Sequence, residues 1–222
     1  MNLDQCTYDY LPGTNIYLYQ HPEMFHVNTD TALLGQFMNV RRKDVVMDIG
    51  TNNGALLLYA MQQGAKQYIG VEIDPNACEL ARYNCNELHH LAANFFAQDI
   101  LTFHHEPVSC IVCNPPFFQR HEQNPVNRNE HLSRARHETH LSLDVLIPKI
   151  STLLQDRGRL YMIHRSERLI DLALLCRAHQ MEIKKLQFVY DESKTEATSV
   201  LMEAMKQGKP HCRILEPIII HR

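Results

Sequence analysis

From Asp44 onward, short apolar runs and helical stretches follow one another at close intervals, and this alternation leaves the chain few architectures to choose from. Asp44–Ile49 reads as a strand, Ala55–Gln63 as a helix, and Gln67–Ile73 as a second strand. A helix then runs from Pro75, a proline suited to a first helical position, to about His89. Phe95–Ala97 and Val108–Cys113 read as strands, Leu143–Leu154 as a helix and Gly158–His164 as a strand. Ser166–His179 reads as a helix with Ser166 as its N-cap. Strands alternating with helices imply crossover connections and an α/β fold with a doubly wound, mostly parallel sheet. Ile183–Val189, Val200–Met205 and Arg213–Ile220 follow without intervening helices, which predicts an antiparallel edge.

No repeat, low-complexity tract or Pro/Gly-rich linker divides the 222 residues, so one domain spanning 1–222 is expected. Residues 1–42 form a small N-terminal extension, with a strand over Asn15–Tyr19 and a helix from about Thr29-Asp30. Residues 43–222 form the core. The start lacks a basic segment followed by an apolar one, and the longest apolar runs are too short to span a bilayer. A cytoplasmic protein is the expectation, without a membrane partner and as a monomer. Seven cysteines fit a reducing compartment. Cys110 and Cys113 have zinc-like spacing, but residues three apart on a strand face opposite sides, so no metal is predicted.

Charge is uneven. Residues 1–112 hold 5 Lys+Arg against 12 Asp+Glu, and residues 113–222 hold 17 against 13. A basic second half can place a polyanion beside a site built by the acidic first half.

The first strand runs into the loop Asp48-Ile49-Gly50-Thr51-Asn52-Asn53-Gly54. In an open α/β sheet that turn lies at the carboxyl edge, where ligands bind. A dinucleotide fingerprint asks for three glycines in G-x-G-x-x-G, and only Gly50 and Gly54 are present. Asp48 would repel a pyrophosphate but suits the ammonium group of an amino acid, which favours S-adenosylmethionine over NAD. Glu72, with Ile73 after it, ends the second strand about twenty residues beyond the glycine loop, where a carboxylate accepts ribose hydroxyls. Asp99 follows the third strand and is placed to accept from an adenine amine. Each acid also has a plainer reading, as a strand-end cap, a surface acid and an N-cap respectively.

The fourth strand ends abruptly in Cys113-Asn114-Pro115-Pro116-Phe117-Phe118. Two prolines stop a strand and hold what precedes them rigid. The Asn114 side-chain oxygen and the Pro115 carbonyl can accept from an exocyclic NH2, favouring its pyramidalisation and stabilising the charge that develops on methyl transfer. Phe117 can stack on the base, while Phe118 is as well explained by the core. Gln119 to Thr139 shows no regular pattern, and loops of that length are usually functional.

The loop "DIGTNNG", the acid of "VEID" and the tetrapeptide "NPPF" together resemble class I, Rossmann-like, S-adenosylmethionine-dependent methyltransferases that modify planar nitrogens. Asn52 stands where that family carries its middle glycine; asparagine tolerates the left-handed conformation such a turn needs. "NTDTALLGQF", "RHE" at Arg136-His137-Glu138, "MIHRSERLIDL" and "LQFVYDESKTEATSVLMEAMKQGKP" extend the resemblance over nearly the whole chain. They are similar to the bacterial tRNA1(Val) adenine-37 N6-methyltransferases. The resemblance implies methylation of the adenine 3′ of the anticodon, and hence a tRNA anticodon loop as partner. By position in the motifs it implies that Asp48, Gly50, Thr51, Asn52, Gly54, Glu72, Ile73 and Asp99 bind cofactor. Asp30 would lie near the cofactor, and Asn114 to Phe117 would hold the base. Arg120, Arg128, Arg134 and Arg136 are the candidate phosphate contacts. An rRNA guanine-N2 enzyme, a DNA adenine-N6 enzyme and an inactive RNA-binding module with a retained cofactor site are the competing expectations.

Overall fold

The computed structural model describes residues 3–116 and 141–221. Phe117, Phe118, Arg120, Arg128, Arg134, Arg136 and Glu138 lie outside the described residues.

A hairpin of β1 (Thr7–Tyr10) and β2 (Tyr17–Gln20) precedes helix α1 (Thr29–Phe37). Then follow β3 (Val45–Ile49), α2 (Ala55–Gln63), β4 (Gln67–Glu72), α3 (Pro75–Arg82), β5 (Ala93–Ala97) and β6 (Val108–Cys113). Beyond the undescribed segment come α4 (Leu143–Leu153), β7 (Leu154–Arg165), α5 (Leu169–Ala178), β8 (Met181–Asp191) and β9 (Ala197–Lys206). Two short strands, β10 (Arg213–Ile214) and β11 (Ile218–Ile220), complete the order.

Among the described residues one nine-stranded sheet has the order β10-β8-β9-β7-β6-β3-β4-β5, with β11 also on β8. β5, β4, β3, β6 and β7 are mutually parallel, and β9 runs antiparallel between β7 and β8. The antiparallel strand β9 lies near the β10 edge, two places in, and β10 and β11 pair with β8 in parallel. The chain leaves β3 toward β4 and β5, then returns to β6 on the other side of β3. The carboxyl ends of β3 and β6 therefore flank the topological switch point, where open α/β sheets bind ligands.

Period-2 alternation sorts the strand residues onto two cores. Val46, Cys110, Val112, Tyr161 and Ile163 face the layer of α1 and α2. Met47, Ile49, Ile111, Cys113, Leu160 and Met162 face α4 and α5. Cys110 and Cys113 point to opposite sides, as their spacing predicts, and both are free and buried. No cluster of three or more metal-ligating side chains occurs among the described residues, and no described helix is long and apolar enough to cross a membrane.

Several elements differ from expectation for identifiable reasons. Ser166 does not cap a helix: its hydroxyl donates across to Ala197 O, a 3-10 turn occupies Ser166–Arg168, and α5 starts at Leu169. Pro217 lies in the break that divides the expected last strand into β10 and β11, having no N–H for a ladder. β7 begins at Leu154 rather than Gly158 through an irregular stretch, with Arg157 at φ +64° and a register shift against β6. β1 went unpredicted, because Thr7-Tyr8-Asp9-Tyr10 has no buried face. The N-terminal segment packs into the main core: Leu11, Leu18 and Leu34 are fully buried beside α2, and the Tyr59 hydroxyl donates to Pro12 O at 2.5 Å.

Candidate functional site

The loop after β3 is built by two glycines and one asparagine in the left-handed region. Gly50 has φ +72°, Asn52 φ +47° and Gly54 φ +84°. Asn52 therefore adopts the conformation that the expected glycine would take, at the cost its short polar side chain makes tolerable. That side chain is also used, since Nδ2 donates to Phe25 O and ties the loop to the segment before α1. Gly50 N and Thr51 N both donate to Val71 O, at 2.9 and 3.2 Å, pinning the loop against β4. A Cβ on Gly50 would meet nothing within 4 Å, so the loop is open above this residue. A Cβ on Gly54 would lie 2.8 Å from Cys85 Sγ. Gly54→Ala combines that contact with a strained φ and is expected to cost about 1–3 kcal/mol, a fall in Tm of roughly 2–10 °C checked by calorimetry.

Two residues that the sequence did not single out support this loop. Asn84, fully buried, accepts from Tyr19 N and donates to Tyr19 O and Asn53 O, all at 2.9 Å. It lies in a π-helical turn, Tyr83–Leu88, that continues α3, and such turns re-aim side chains at functional sites. Gln20 Oε1 accepts from Val27 N at 2.6 Å and from Asn53 Nδ2 at 3.3 Å. Neither residue stands out in the sequence: Gln20 lies between Tyr19 and His21, and Asn84 between Tyr83 and Cys85.

Two clefts open along the carboxyl edge. The first is lined by Ile49, Gly50, Val71, Glu72, Ile73, Gln98, Asp99, Ile100, Leu101 and Leu141. Glu72 Oε2 accepts from Asn52 N at 2.9 Å and Oε1 from Asp74 N at 3.1 Å. Burial raises the Glu72 carboxyl above its ordinary range, opposed by these backbone N–H groups. Asp99 Oδ1 accepts from Leu101 N at 2.9 Å, so this residue both caps its turn and lines the cleft.

The second cleft is lined by Phe25, Val27, Thr31, Gly50, Thr51, Asn52, Asn53, Ala55, Leu56 and Asn114. The N-terminus of α2, with its partial positive charge, contributes to its wall through Ala55 and Leu56. Asn114 Nδ2 donates to Thr31 Oγ1 at 3.3 Å. Pro115 is buried and Pro116 exposed. Gly50 belongs to both clefts, so an extended ligand crossing it has one end at Glu72 and Asp99 and the other near Asn114.

Among the described residues, five of the expected ones line neither cleft: Asp30, Asp48, Gly54, Pro115 and Pro116. Asp48 lies behind the loop, fully buried, and lines neither cleft. Neither carboxylate oxygen has a well-formed hydrogen bond, and the neighbouring Thr51 hydroxyl is likewise unsatisfied. Burial, with a smaller push from the Glu72 charge, raises the Asp48 carboxyl to about 7, while Thr51 partly opposes the shift. Asp30, in the first turn of α1, also lines neither cleft; burial raises its carboxyl while Arg165 pulls it down.

This set of groups suits a nucleoside joined to an amino acid. It offers a carboxylate and a capped Asp99 at one end, an open glycine in the middle, and a helix N-terminus with an uncompensated buried anion behind it. Nothing in either cleft resembles a glycine-rich cradle for a pyrophosphate.

Residues 15–171 match the model of the methyltransferase small domain family. A protein from Aliivibrio salmonicida named tRNA1(Val) (adenine(37)-N6)-methyltransferase is 30% identical over 188 residues, which cover 80% of this chain and 76% of that one. Among solved structures, a predicted O-methyltransferase from Agrobacterium tumefaciens has a TM-score of 0.64 at 15% identity, covering 86% of this chain and 87% of its own. A T. thermophilus 16S rRNA N2 G1207 methyltransferase, solved with AdoMet and guanosine, has a TM-score of 0.63 at 18% identity, covering 90% of this chain and 50% of its own. These two structural likenesses concern the fold alone. The family match spans well over half of the chain, and the chain belongs to the methyltransferase small domain family.

Proposed function

We propose that this chain is an S-adenosylmethionine-dependent methyltransferase acting on the N6 amino group of adenine 37 in tRNA1(Val). The observation that carries the reading is the meeting of the two clefts at Gly50, with Glu72 and Asp99 at one end and Asn114 at the other.

When bound, the donor supplies an electrophilic methyl group carried on a sulfonium. Glu72 would accept from the ribose hydroxyls and Asp99 from the adenine amine of that donor, and Ile73, which lines the same cleft, would lie beside its nucleoside. The N-terminus of α2 favours the amino-acid carboxylate. Asp48 places a buried negative charge behind the loop that complements the ammonium group; direct contact requires the Thr51 turn to yield. Asn114 Oδ1 and the Pro115 carbonyl accept the two N–H groups of the target amine. Its lone pair is thereby drawn out of conjugation, and positive charge growing on nitrogen meets preorganised dipoles rather than water. An amide oxygen keeps no proton, so the proton lost after transfer leaves to solvent. Reaching adenine 37 requires the base to be unstacked into the cleft. Arg120, Arg128, Arg134 and Arg136, which follow the corner in sequence, are the proposed phosphate contacts, with Phe117 the proposed stacking partner.

The test is methylation of an unmodified tRNA1(Val) transcript by the purified chain. N6-methyladenosine is expected with adenine at position 37 and none when that position is guanine. Transfer that survives the substitution, or no transfer to either transcript, overturns the assignment.

A further inference from the structure

Asn114 serves as an acceptor only when its carboxamide presents Oδ1 to the target, and the two ends of a carboxamide are nearly alike in shape. The hydrogen bonds beside it decide which end faces where. Asn28 is the N-cap of α1, and its Oδ1 accepts the Thr31 backbone N–H at 2.9 Å. The Thr31 hydroxyl lies 3.1 Å from the same Oδ1, an atom without a proton, so the hydroxyl donates its single proton there. Thr31 Oγ1 then has only lone pairs to offer Asn114, and the group facing it at 3.3 Å must be Nδ2. Oδ1 is left turned away from Thr31, and no described residue donates to it. Thr31 is buried, lines the second cleft, and comes from the N-terminal segment, 83 residues before Asn114.

We propose that Thr31, aligned by Asn28, is a positioning residue that holds the Asn114 carboxamide with its oxygen toward the target amine. The proposal rests on Asn114 being the acceptor in the reading above. Without the hydroxyl the carboxamide turns over freely, and its NH2 then opposes the NH2 of the base. The first turn of α1 is thus part of the catalytic apparatus, although it lies in the stretch that the sequence presents as an extension.

Thr31→Val removes the hydroxyl at nearly constant shape, and Thr31→Ser keeps it. With tRNA1(Val) transcript as substrate, Thr31→Val is expected to lower kcat about tenfold, while the donor Kd from titration calorimetry stays within about twofold. Thr31→Ser is expected to recover most of the loss, and Thr31→Val is expected to cost nothing further in an Asn114→Ala background. Asn28→Gly, which a helix N-terminus tolerates, removes the acceptor that aligns the hydroxyl and is expected to share the kcat loss. Wild-type kcat in Thr31→Val, or a loss that Thr31→Ser does not recover, overturns the proposal while Asn114→Ala keeps its own large loss of kcat. Wild-type turnover in Asn114→Ala instead overturns the reading on which the proposal rests.

Discussion

Asn114→Ala is expected to bind S-adenosylmethionine with a Kd within about twofold of wild type and to lose 10²- to 10³-fold in kcat, the range for removal of one preorganised group at a centre of developing charge. The split follows from the layout of the edge. Asn114 lines the second cleft, whereas the carboxylates proposed to hold the donor nucleoside line the first. The side chain sits at the end of β6, half-buried, ahead of two prolines that leave the backbone little freedom. Alanine keeps that backbone and removes only the acceptor, so the loss falls on the transition state and not on ground-state binding. Calorimetry for the donor and single-turnover kinetics with tRNA measure the two quantities separately. Turnover within about threefold of wild type would remove the corner from the mechanism.

Asp48→Asn is expected to do two opposite things. The wild-type carboxyl is raised from 3.8 to about 7 by burial, so the folded state holds a proton over a range where the unfolded chain has released it. Its contribution is therefore fully present below about pH 4 and is lost as pH rises through about 7. Asparagine cannot ionise and escapes that loss. The variant's Tm without donor should match wild type near pH 4 and exceed it by about 3–6 °C at pH 8, provided the amide fits the space of the carboxylate. Donor affinity should move the other way, falling at least about tenfold at pH 8 through loss of the buried anion behind the loop. Wild-type affinity should itself weaken below about pH 7 as Asp48 takes up a proton. A variant that is both less stable and unimpaired in donor binding would show that Asp48 serves the fold alone. Instability kept to reach a functional charge is a common trade in binding sites.

The parts of this fold that were readable in the sequence are those governed by local periodicity. Val108–Cys113 was bounded correctly because it is a short apolar run whose residues from Cys110 onward alternate between two apolar layers, and Ala55–Gln63 because a helical apolar stretch lies between two glycines. The loop residue Asn52 was legible for a related reason, since its left-handed φ is a property of a single residue. What escaped were relations between distant residues. Asn84 clamps Tyr19 and Asn53, Thr31 meets Asn114, and Gln20 meets Asn53, yet none of these pairs carries a local signature. Ser166 shows the converse error: a good N-cap by type, it is drawn away by a carbonyl on β9. The acids were located at their strand ends, but their surroundings were not. Asp48 was expected to face a ligand, and it lies behind the loop with its charge unpartnered. Asp99, read either as a cap or as a ligand group, has the position of both.

The most direct test of the account uses total tRNA from a strain lacking this gene, incubated with the purified protein and donor, followed by nucleoside analysis of individual tRNA species. N6-methyladenosine is expected in a single valine tRNA, at the position 3′ of the anticodon, with no other new nucleoside. N2-methylguanosine, or no methyl incorporation from a protein that binds the donor, would contradict it.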